Sequence, residues 1–386
     1  MGTAQENHPT LSLAMIMKDE IDDLERIIKS YGACFDKIYV TVTDKKVYSS
    51  LLKKYADGIT TVGQIELSYF KWIDHFGKAR RYNQRHIKTD YWMWIDTDDE
   101  IEGSENIREV VDYMRTNDLD AAWFSYDYIR RVHLSDPEAI SRRERIIKTA
   151  SKLTWMDEAI HEHINVHEST QQQFFSQVTI KHRKTHEQSR ASGERNKTIL
   201  EKDWQRTRRP LTAYYLGTYF GGLGEYEAAI EKLLYAAQES DSDMIRFAAW
   251  LNLCMCYIQT SQYQAALAAT DKCIAIDPEH PEPWYHKFAA YRATSYHDSA
   301  MQAAEIFMSN EAPRGVTTLL NQDTAWHQYK GPLNIAHAYL SLGNTERAFA
   351  LYSQVKQIAP HHIDEVSAVL GLKLEDAFER AYKNHH

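Results

Sequence analysis

The chain has 386 residues, four cysteines and a formal net charge of −9 at pH 7. Its length allows two or three domains, and its negative charge disfavours non-specific binding to nucleic acid or to an anionic membrane surface. No apolar stretch approaches the roughly 20 residues that cross a membrane, and the first residues lack the apolar segment of a signal peptide. There is no Cys-x-x-Cys motif, so we expect a reducing, cytoplasmic setting.

Residues 10–190 predict an α/β domain in which strands alternate with helices. Apolar or β-branched runs indicate the strands, and apolar residues at helical spacing indicate the helices. In chain order the predicted segments are a strand at 11–17, a helix that ends at Gly32, a strand at 37–43, a helix at 47–55, a strand at 59–62, a helix at 76–87 and a strand at 91–95. This alternation is typical of βαβ units and a mostly parallel sheet. The segment has neither a Gly-x-Gly-x-x-Gly motif nor a P-loop.

Four acids within five positions follow the aromatic strand at 91–95, and they are Asp96, Asp98, Asp99 and Glu100. The carboxyl end of a strand is where an open α/β sheet binds ligands. Asp96 and Asp98 are two residues apart, so both carboxylates can approach one hard cation, and that cation can hold a diphosphate. The alternative is an acidic turn before a helix, and for Asp99 and Glu100 we favour this role as charges at a helix N-terminus.

Five segments resemble, in this order, family-2 glycosyltransferases of the GT-A fold, in particular the group that carries tetratricopeptide repeats. The segments are Met15–Glu20, Phe76–Asn83, Trp94–Glu100, Ala159–Glu162 and Val178–His182. The resemblance implies a Rossmann-like GT-A catalytic domain over residues 10–190. It also implies Mn²⁺ or Mg²⁺ and a nucleotide-sugar donor, for which we expect a UDP-sugar.

The resemblance assigns a role to each matched residue. Metal ligands are Asp96, Asp98 and His182; the general base is Glu162; contacts to the nucleotide-sugar are Lys18, Asp44, Arg80, Asn83 and Asp96. Alternatives stay open at several positions. His161 competes with His182 as the ligand, Asp157 or Glu158 could replace Glu162, and Arg80 could make only a surface ion pair.

Two departures from the family pattern affect the donor site. Asp19 replaces the usual Asn after the first strand, and residues 42–46 replace the Asp-x-Gly-Ser-x-Asp loop that helps hold the nucleotide. The identity of the donor is therefore open, and a catalytically inactive scaffold that binds a protein partner is the second hypothesis. A metal hydrolase built on His161, His163 and His182 is the third, although no His-Glu-x-x-His motif is present.

Residues 210–386 predict an all-α domain, joined to the first by a helical linker at 191–209. Aromatic and small residues recur near the 34-residue period of tetratricopeptide repeats, and residues 309–329 interrupt the array. Such repeats form concave surfaces for partners. We expect them to hold a peptide or protein acceptor or to form a homodimer, while glycan and modified-nucleobase acceptors stay open.

Overall fold

A computed structural model of the chain describes residues 8–55, 64–129, 139–167, 169–183, 186–310 and 330–358, and residue 383. The chain divides into two compact units, the first extending to Arg206 and the second beginning at Thr207. The segment predicted as a linker is helical and lies largely within a longer helix, which ends the first unit.

The described part of the first unit combines eight strands with five α-helices. The strands are β1 (Leu11–Met17), β2 (Lys37–Val42), β3 (Gln64–Tyr69), β4 (Tyr91–Trp94), β5 (Asp99–Glu102), β6 (Ala121–Ile129), β7 (Ala139–Lys148) and β8 (Gln172–Arg183). The helices are α1 (Ile21–Tyr31), α2 (Lys45–Lys54), α3 (Phe76–Gln84), α4 (Ile107–Thr116) and α5 (His186–Thr207). The first two predicted strands and the first three predicted helices therefore form, with ends shifted by a few residues.

The sheet is mixed, which corrects the prediction of a mostly parallel sheet. Its strand order is β3-β2-β1-β4-β7-β6-β8-β5. The first four strands in this order are parallel, as βαβ units require. β7 then pairs antiparallel with both β4 and β6, β8 runs parallel to β6, and β5 is antiparallel to β8. β6, β7 and β8 follow one another with no α-helix among the described residues between them, so their pairing is not restricted to the parallel direction.

The predicted strand at 59–62 lies outside the described residues, and the described third strand, β3, was not predicted. The prediction that Asp99 and Glu100 begin a helix is wrong. Both lie in β5, and the next α-helix begins only at Ile107. The reason is the alternation in Asp-Glu-Ile-Glu, where Asp99 and Ile101 are buried and Glu102 is exposed.

Apolar side chains cover both faces of the sheet. One core forms among α1, α4 and the strands. On the other face, Trp92 and Trp94 of β4 pack with Trp155, whose ring centroid lies 4.9 Å from that of Trp94. The strand before the acids is thus fixed on both sides, so the acids emerge from a rigid support.

The second unit consists of antiparallel helix pairs. The helices are α6 (Pro210–Gly222), α7 (Tyr226–Glu239), α8 (Asp243–Gln259), α9 (Tyr263–Ile276), α10 (Pro281–Ala293), α11 (His297–Ser309), α12 (Gly331–Ser341) and α13 (Thr345–Ile358). Small residues such as Ala229 and Ala266 are fully buried between helices. Cys254 and Cys273 are buried as well. Within the described ranges, no helix is long and apolar enough to cross a membrane.

Candidate active site

Three carboxylates and one imidazole converge beside the end of β4. Asp96, Asp98, Asp99 and His182 each offer a ligand atom, and these atoms lie within 4.8 Å of one another. Asp96 and Asp98 lie in the short connection between β4 and β5, whereas Asp99 of β5 and His182 of β8 face each other in the antiparallel register. The structure brings together the three predicted metal ligands and adds Asp99.

Asp99 is fully buried, and both of its carboxylate oxygens accept hydrogen bonds. Oδ1 lies 2.8 Å from Nδ1 of His182 and 3.3 Å from the hydroxyl of Tyr126. Oδ2 accepts from the backbone N–H of Asp96 at 3.0 Å and from Arg145 at 3.3 Å. Arg145 is itself fully buried over the ring of Trp94. Sequence reasoning missed Arg145 and Tyr126, because only the pairing of β4, β6 and β7 brings them to this carboxylate.

Arg80 joins the acid cluster to the predicted base. Its Nε donates to Glu162 and its Nη2 to Asp96, each at 2.5 Å. The guanidinium is 5% exposed and lies over the rings of Trp94 and Trp155, with centroid distances of 4.8 and 4.7 Å. The alternative of a surface ion pair is therefore wrong for Arg80, and α3 delivers a buried cation between two carboxylates.

The charges around Arg80 shift two pKa values. Burial alone would lower the pKa of Arg80, but Asp96 and Glu162 outweigh it and raise that pKa above the ordinary value. Burial alone would likewise raise the pKa of Asp96. Arg80, His182 and Arg145 outweigh that effect and hold the pKa of Asp96 well below its usual range. Asp96 is therefore ionised at neutral pH, as a cation ligand must be.

Glu162 lies in the segment between β7 and β8 and is 9% exposed. An isolated bridge between Trp155 and Ile164 closes this segment on itself. Arg143 donates to the backbone oxygen of Glu162 at 3.1 Å. The loop is therefore anchored at several points. The guanidinium of Arg80 bridges the carboxylates of Glu162 and Asp96.

The competing candidates in the same segment have other surroundings. Asp157 pairs with His75 at 3.2 Å, and Glu158 is buried and accepts through its backbone oxygen from the N–H of Gly77. His161 is exposed and has a left-handed backbone conformation, with φ of 57°. Among the described residues, the cluster of possible metal ligands includes His182 and does not include His161.

Asn83 binds the sheet rather than the acid cluster. Its Nδ2 donates to the backbone oxygens of Met15 and Tyr39 and to the hydroxyl of Thr41, at 3.0–3.1 Å. These bonds tie α3 to β1 and β2 and hold Arg80, one turn away, in place. The amide nitrogen of Asn83 is engaged in this way, so a contact from it to a nucleotide stays a prediction.

Lys18 and Asp44 lie at the ends of the first two strands. Lys18 is exposed, and its backbone N–H donates to Glu20. Asp44 is the N-cap of α2 and accepts from two backbone N–H groups of its first turn. These bonds lower the pKa of Asp44. The nucleotide contacts assigned to these two residues stay predictions.

The donor set fits a hard divalent cation. Carboxylates offer oxygen ligands, as Mg²⁺ and Mn²⁺ prefer, and a single imidazole is compatible with Mn²⁺. A structural zinc site instead takes four ligands, usually cysteine and histidine. The metal hydrolase considered from the sequence would need His161 and His163, and neither belongs to the cluster found among the described residues.

Comparisons with known proteins show that the second unit contains tetratricopeptide repeats. The tetratricopeptide repeat family model matches residues 247–280 and 333–362. These matches confirm the predicted repeats within the helical half.

One curated relative is the peptidyl-prolyl cis-trans isomerase FKBP4 of Rattus norvegicus. It is 24% identical over 153 residues, which are 37% of this chain and 33% of the relative. The chain therefore spans about a third of the length of the curated relative that it matches.

Several solved structures are also similar to parts of this chain, at low sequence identity. The tetratricopeptide protein TTC0263 of Thermus thermophilus is 15% identical, with a TM-score of 0.37 over 50% of this chain and 92% of that one. MamA of Desulfovibrio magneticus RS-1 is 14% identical, with a TM-score of 0.36 over 44% and 86%. TarS residues 1–349 of S. aureus is 10% identical, with a TM-score of 0.36 over 79% and 93%.

Proposed function

We propose that this chain is a metal-dependent, inverting glycosyltransferase that moves a sugar from a nucleotide-sugar, with a UDP-sugar as the expected donor. The observation that carries the proposal is the convergence of Asp96, Asp98 and His182, joined through Arg80 to the carboxylate of Glu162. This arrangement supports the proposal, because side chains that could hold a cation are joined through Arg80 to a candidate base, and sugar transfer from a diphosphate needs both a cation and a base.

Each group has a separate task in this proposal. Asp96, Asp98 and His182 would hold Mn²⁺ or Mg²⁺, and the cation would neutralise the leaving diphosphate. Glu162 takes the proton of the acceptor group as that group attacks from the face opposite the leaving nucleotide. Arg80 holds the Glu162 and Asp96 carboxylates at a set separation, and its buried cation favours negative charge at this position.

The repeats supply the argument for the acceptor. Tetratricopeptide repeats form extended surfaces that can bind a peptide or protein partner. The family model matches such repeats in the second unit of this chain. We therefore propose a peptide or protein acceptor, in preference to a glycan or modified nucleobase. Dimer formation through the repeats is the competing use of the same surface.

A binding-only scaffold is the second candidate, and a specific observation favours it. Asp44, in the place of the family's nucleotide loop, caps α2, and the amide nitrogen of Asn83 is bound to the sheet. Two of the predicted nucleotide contacts therefore already have structural partners. This candidate predicts a stable fold and a partner on the repeats but no response to nucleotide-sugars.

Thermal unfolding with a panel of nucleotide-sugars separates the two candidates. A ligand that binds only the native state stabilises it, by about 2.7 kcal/mol at a concentration 100 times its Kd. We expect a rise in melting temperature with a UDP-sugar that is larger when Mn²⁺ is present. Asp98→Ala should abolish the Mn²⁺-dependent part and sugar transfer.

The matched control is Glu109→Ala, which removes an exposed acid from α4 of the same unit. It should keep the full response to Mn²⁺ and to the donor. A wild-type protein that ignores every nucleotide-sugar, or an Asp98→Ala variant with near-normal turnover, would contradict the proposed function.

A further inference from the structure

Asp99 has a different environment from the other acids of the cluster. Asp96 and Asp98 keep side-chain exposures of 33% and 30%, whereas Asp99 has none. Four donors surround its two oxygens: His182 and Tyr126 on Oδ1, and the Asp96 N–H and Arg145 on Oδ2. A buried carboxylate with this many donors is held in one orientation.

The donors on Oδ2 show that the Asp99 carboxylate accepts hydrogen bonds on this side. A backbone N–H and an arginine can only donate, and an ionised carboxylate can only accept. The same rule applies on Oδ1. Nδ1 of His182 lies 2.8 Å from Oδ1 of Asp99 and 3.5 Å from Oδ1 of Asp98, so it faces two acceptors and must carry a proton. In the neutral ring, Nε2 is then the nitrogen with a lone pair.

We propose that Asp99 is a positioning residue rather than a metal ligand. It fixes the Nδ1–H tautomer of His182, so that Nε2 is the nitrogen offered to the cation, while Asp96 and Asp98 supply the carboxylate ligands. Arg145 and Tyr126 hold Asp99 in turn. This inference rests on the proposed function for the presence of the cation, and a carboxylate behind a ligating histidine is a general means of orienting the ring.

Asp99→Asn tests the inference because the new amide has only one allowed orientation. Arg145 and the Asp96 N–H still donate, so the amide oxygen must face them. The amide NH₂ then faces His182, whose Nδ1 can meet it only by accepting. We therefore expect the variant to switch His182 to the Nε2–H tautomer, with little change in side-chain volume.

The first measurement is long-range ¹H–¹⁵N NMR of the histidine rings in the metal-free, full-length protein, at a pH where the rings are neutral. A His182→Gln variant assigns the His182 signals by removing them. Wild type should show Nδ1–H, and Asp99→Asn should show Nε2–H. Asp118→Asn, which changes an exposed acid of the same unit, should leave these signals where they are.

The second measurement is the affinity for Mn²⁺ alone, followed by electron paramagnetic resonance. Loss of a partner behind the ligand typically costs about 10–100-fold in metal affinity, and we expect this for Asp99→Asn. Tyr126→Phe removes one of the two donors on Oδ1 and leaves the tautomer unchanged. It should therefore lose less affinity than Asp99→Asn and keep the wild-type ring signals.

The outcomes separate this inference from the proposed function. An Asp99→Asn protein that keeps Nδ1–H overturns the positioning role, and so does Mg²⁺ binding that perturbs Nδ1 rather than Nε2 in wild type. A wild-type protein with the expected tautomer that binds neither Mn²⁺ nor nucleotide-sugar overturns the proposed function instead. Should Asp99→Asn fail to fold, the wild-type ring signals with Mg²⁺ and the Tyr126→Phe affinity still decide the question.

Discussion

The two units of this chain differ most in what they bury. The first unit buries charged side chains, and these are Arg80, Asp99, Glu144, Arg145, Glu158, Glu162 and Asp203. Among the described residues from Thr207 onward, the buried polar side chains are Thr212, Ser240, Thr270 and His280, with no carboxylate, lysine or arginine. Burying an ion costs several kcal/mol unless it is well paired. The first unit therefore bears a cost of burying charge, and a functional site is one reason to bear it. The described interior of the second unit relies mainly on apolar packing.

The largest expected effect is on transfer, and it tests whether the buried charge of the first unit is catalytic. Glu162→Gln keeps the size and most hydrogen bonds of the side chain but cannot accept a proton. We expect transfer to fall by about 10²–10⁴-fold, with donor binding near that of wild type. Steady-state transfer to a hydroxyl acceptor and titration with the donor measure the two quantities.

Glu158→Gln is the comparison for that experiment, since Glu158 is a buried carboxylate of the same segment. It should keep most of its transfer activity per folded molecule. If Glu158→Gln loses transfer and Glu162→Gln does not, the base is Glu158. If neither does, the buried acids of this segment serve the fold alone and the contrast between the units loses its functional meaning.

A second prediction concerns stability and compares one arginine from each unit. Arg80→Met leaves Asp96 and Glu162 without their common cation, and breaking a buried pair costs about 3–5 kcal/mol. Arg347→Met removes an ion pair with Glu305 in which both side chains are 59% exposed, and such pairs contribute about 0–1 kcal/mol. Urea unfolding measures both. Equal losses in the free energy of unfolding would show that burial does not determine how much these ion pairs contribute to stability.

A third prediction compares two glycines. At Gly77 an added Cβ would lie 2.6 Å from the backbone oxygens of Met156 and Glu158, whereas at Gly217 it would lie 2.5 Å from the Leu233 side chain. Overpacking costs about 1–3 kcal/mol. Gly77→Ala should reach the upper part of this range, because backbone cannot yield as a side chain does.

The same two variants differ in their effect on activity. The segment displaced by Gly77→Ala leads to Glu162, so transfer per folded molecule should fall as well. Gly217→Ala should reduce the melting temperature and leave that transfer unchanged. A Gly77→Ala protein with full transfer would show that the position of Glu162 does not depend on this close approach.

The smallest prediction concerns pH. Burial lowers the pKa of His75 below its ordinary value of 6.5, against the opposing effect of Asp157. The unfolded chain therefore takes up a proton at a higher pH than the folded one. Between these two pKa values the free energy of unfolding falls as the pH drops, by at most about 1.4 kcal/mol per pH unit.

His75→Asn should remove the contribution of His75 to this slope and keep the helix, because asparagine also caps α3 well. Urea unfolding across a pH series measures the slope. Burial also lowers the pKa of His337 in the second unit, so His337→Asn is the matched variant there. If only the His337 variant flattens the slope, the pH response belongs to the repeats and not to the unit with the buried charges.

Local patterns predicted much of each unit. The apolar run of β1, the amphipathic spacing of α1 and the aromatic strand before the acids depend on neighbours along the chain, so composition and periodicity were sufficient. The repeats were found in the same way, since each helix pair contacts mainly the next. The metal candidates Asp96, Asp98 and His182 came from ordered motifs, and the structure brings them together.

The amino-acid sequence limits which residues can carry the chemistry, and the folded sheet sets how they are arranged. No local pattern shows that Asp99 lies in an edge strand opposite His182, or that Arg145 and Tyr126 meet its carboxylate. These contacts join residues 27–83 positions apart. They exist because β6, β7 and β8 pair beside β4, and strand order is set by the free energy of the whole sheet rather than by any one segment.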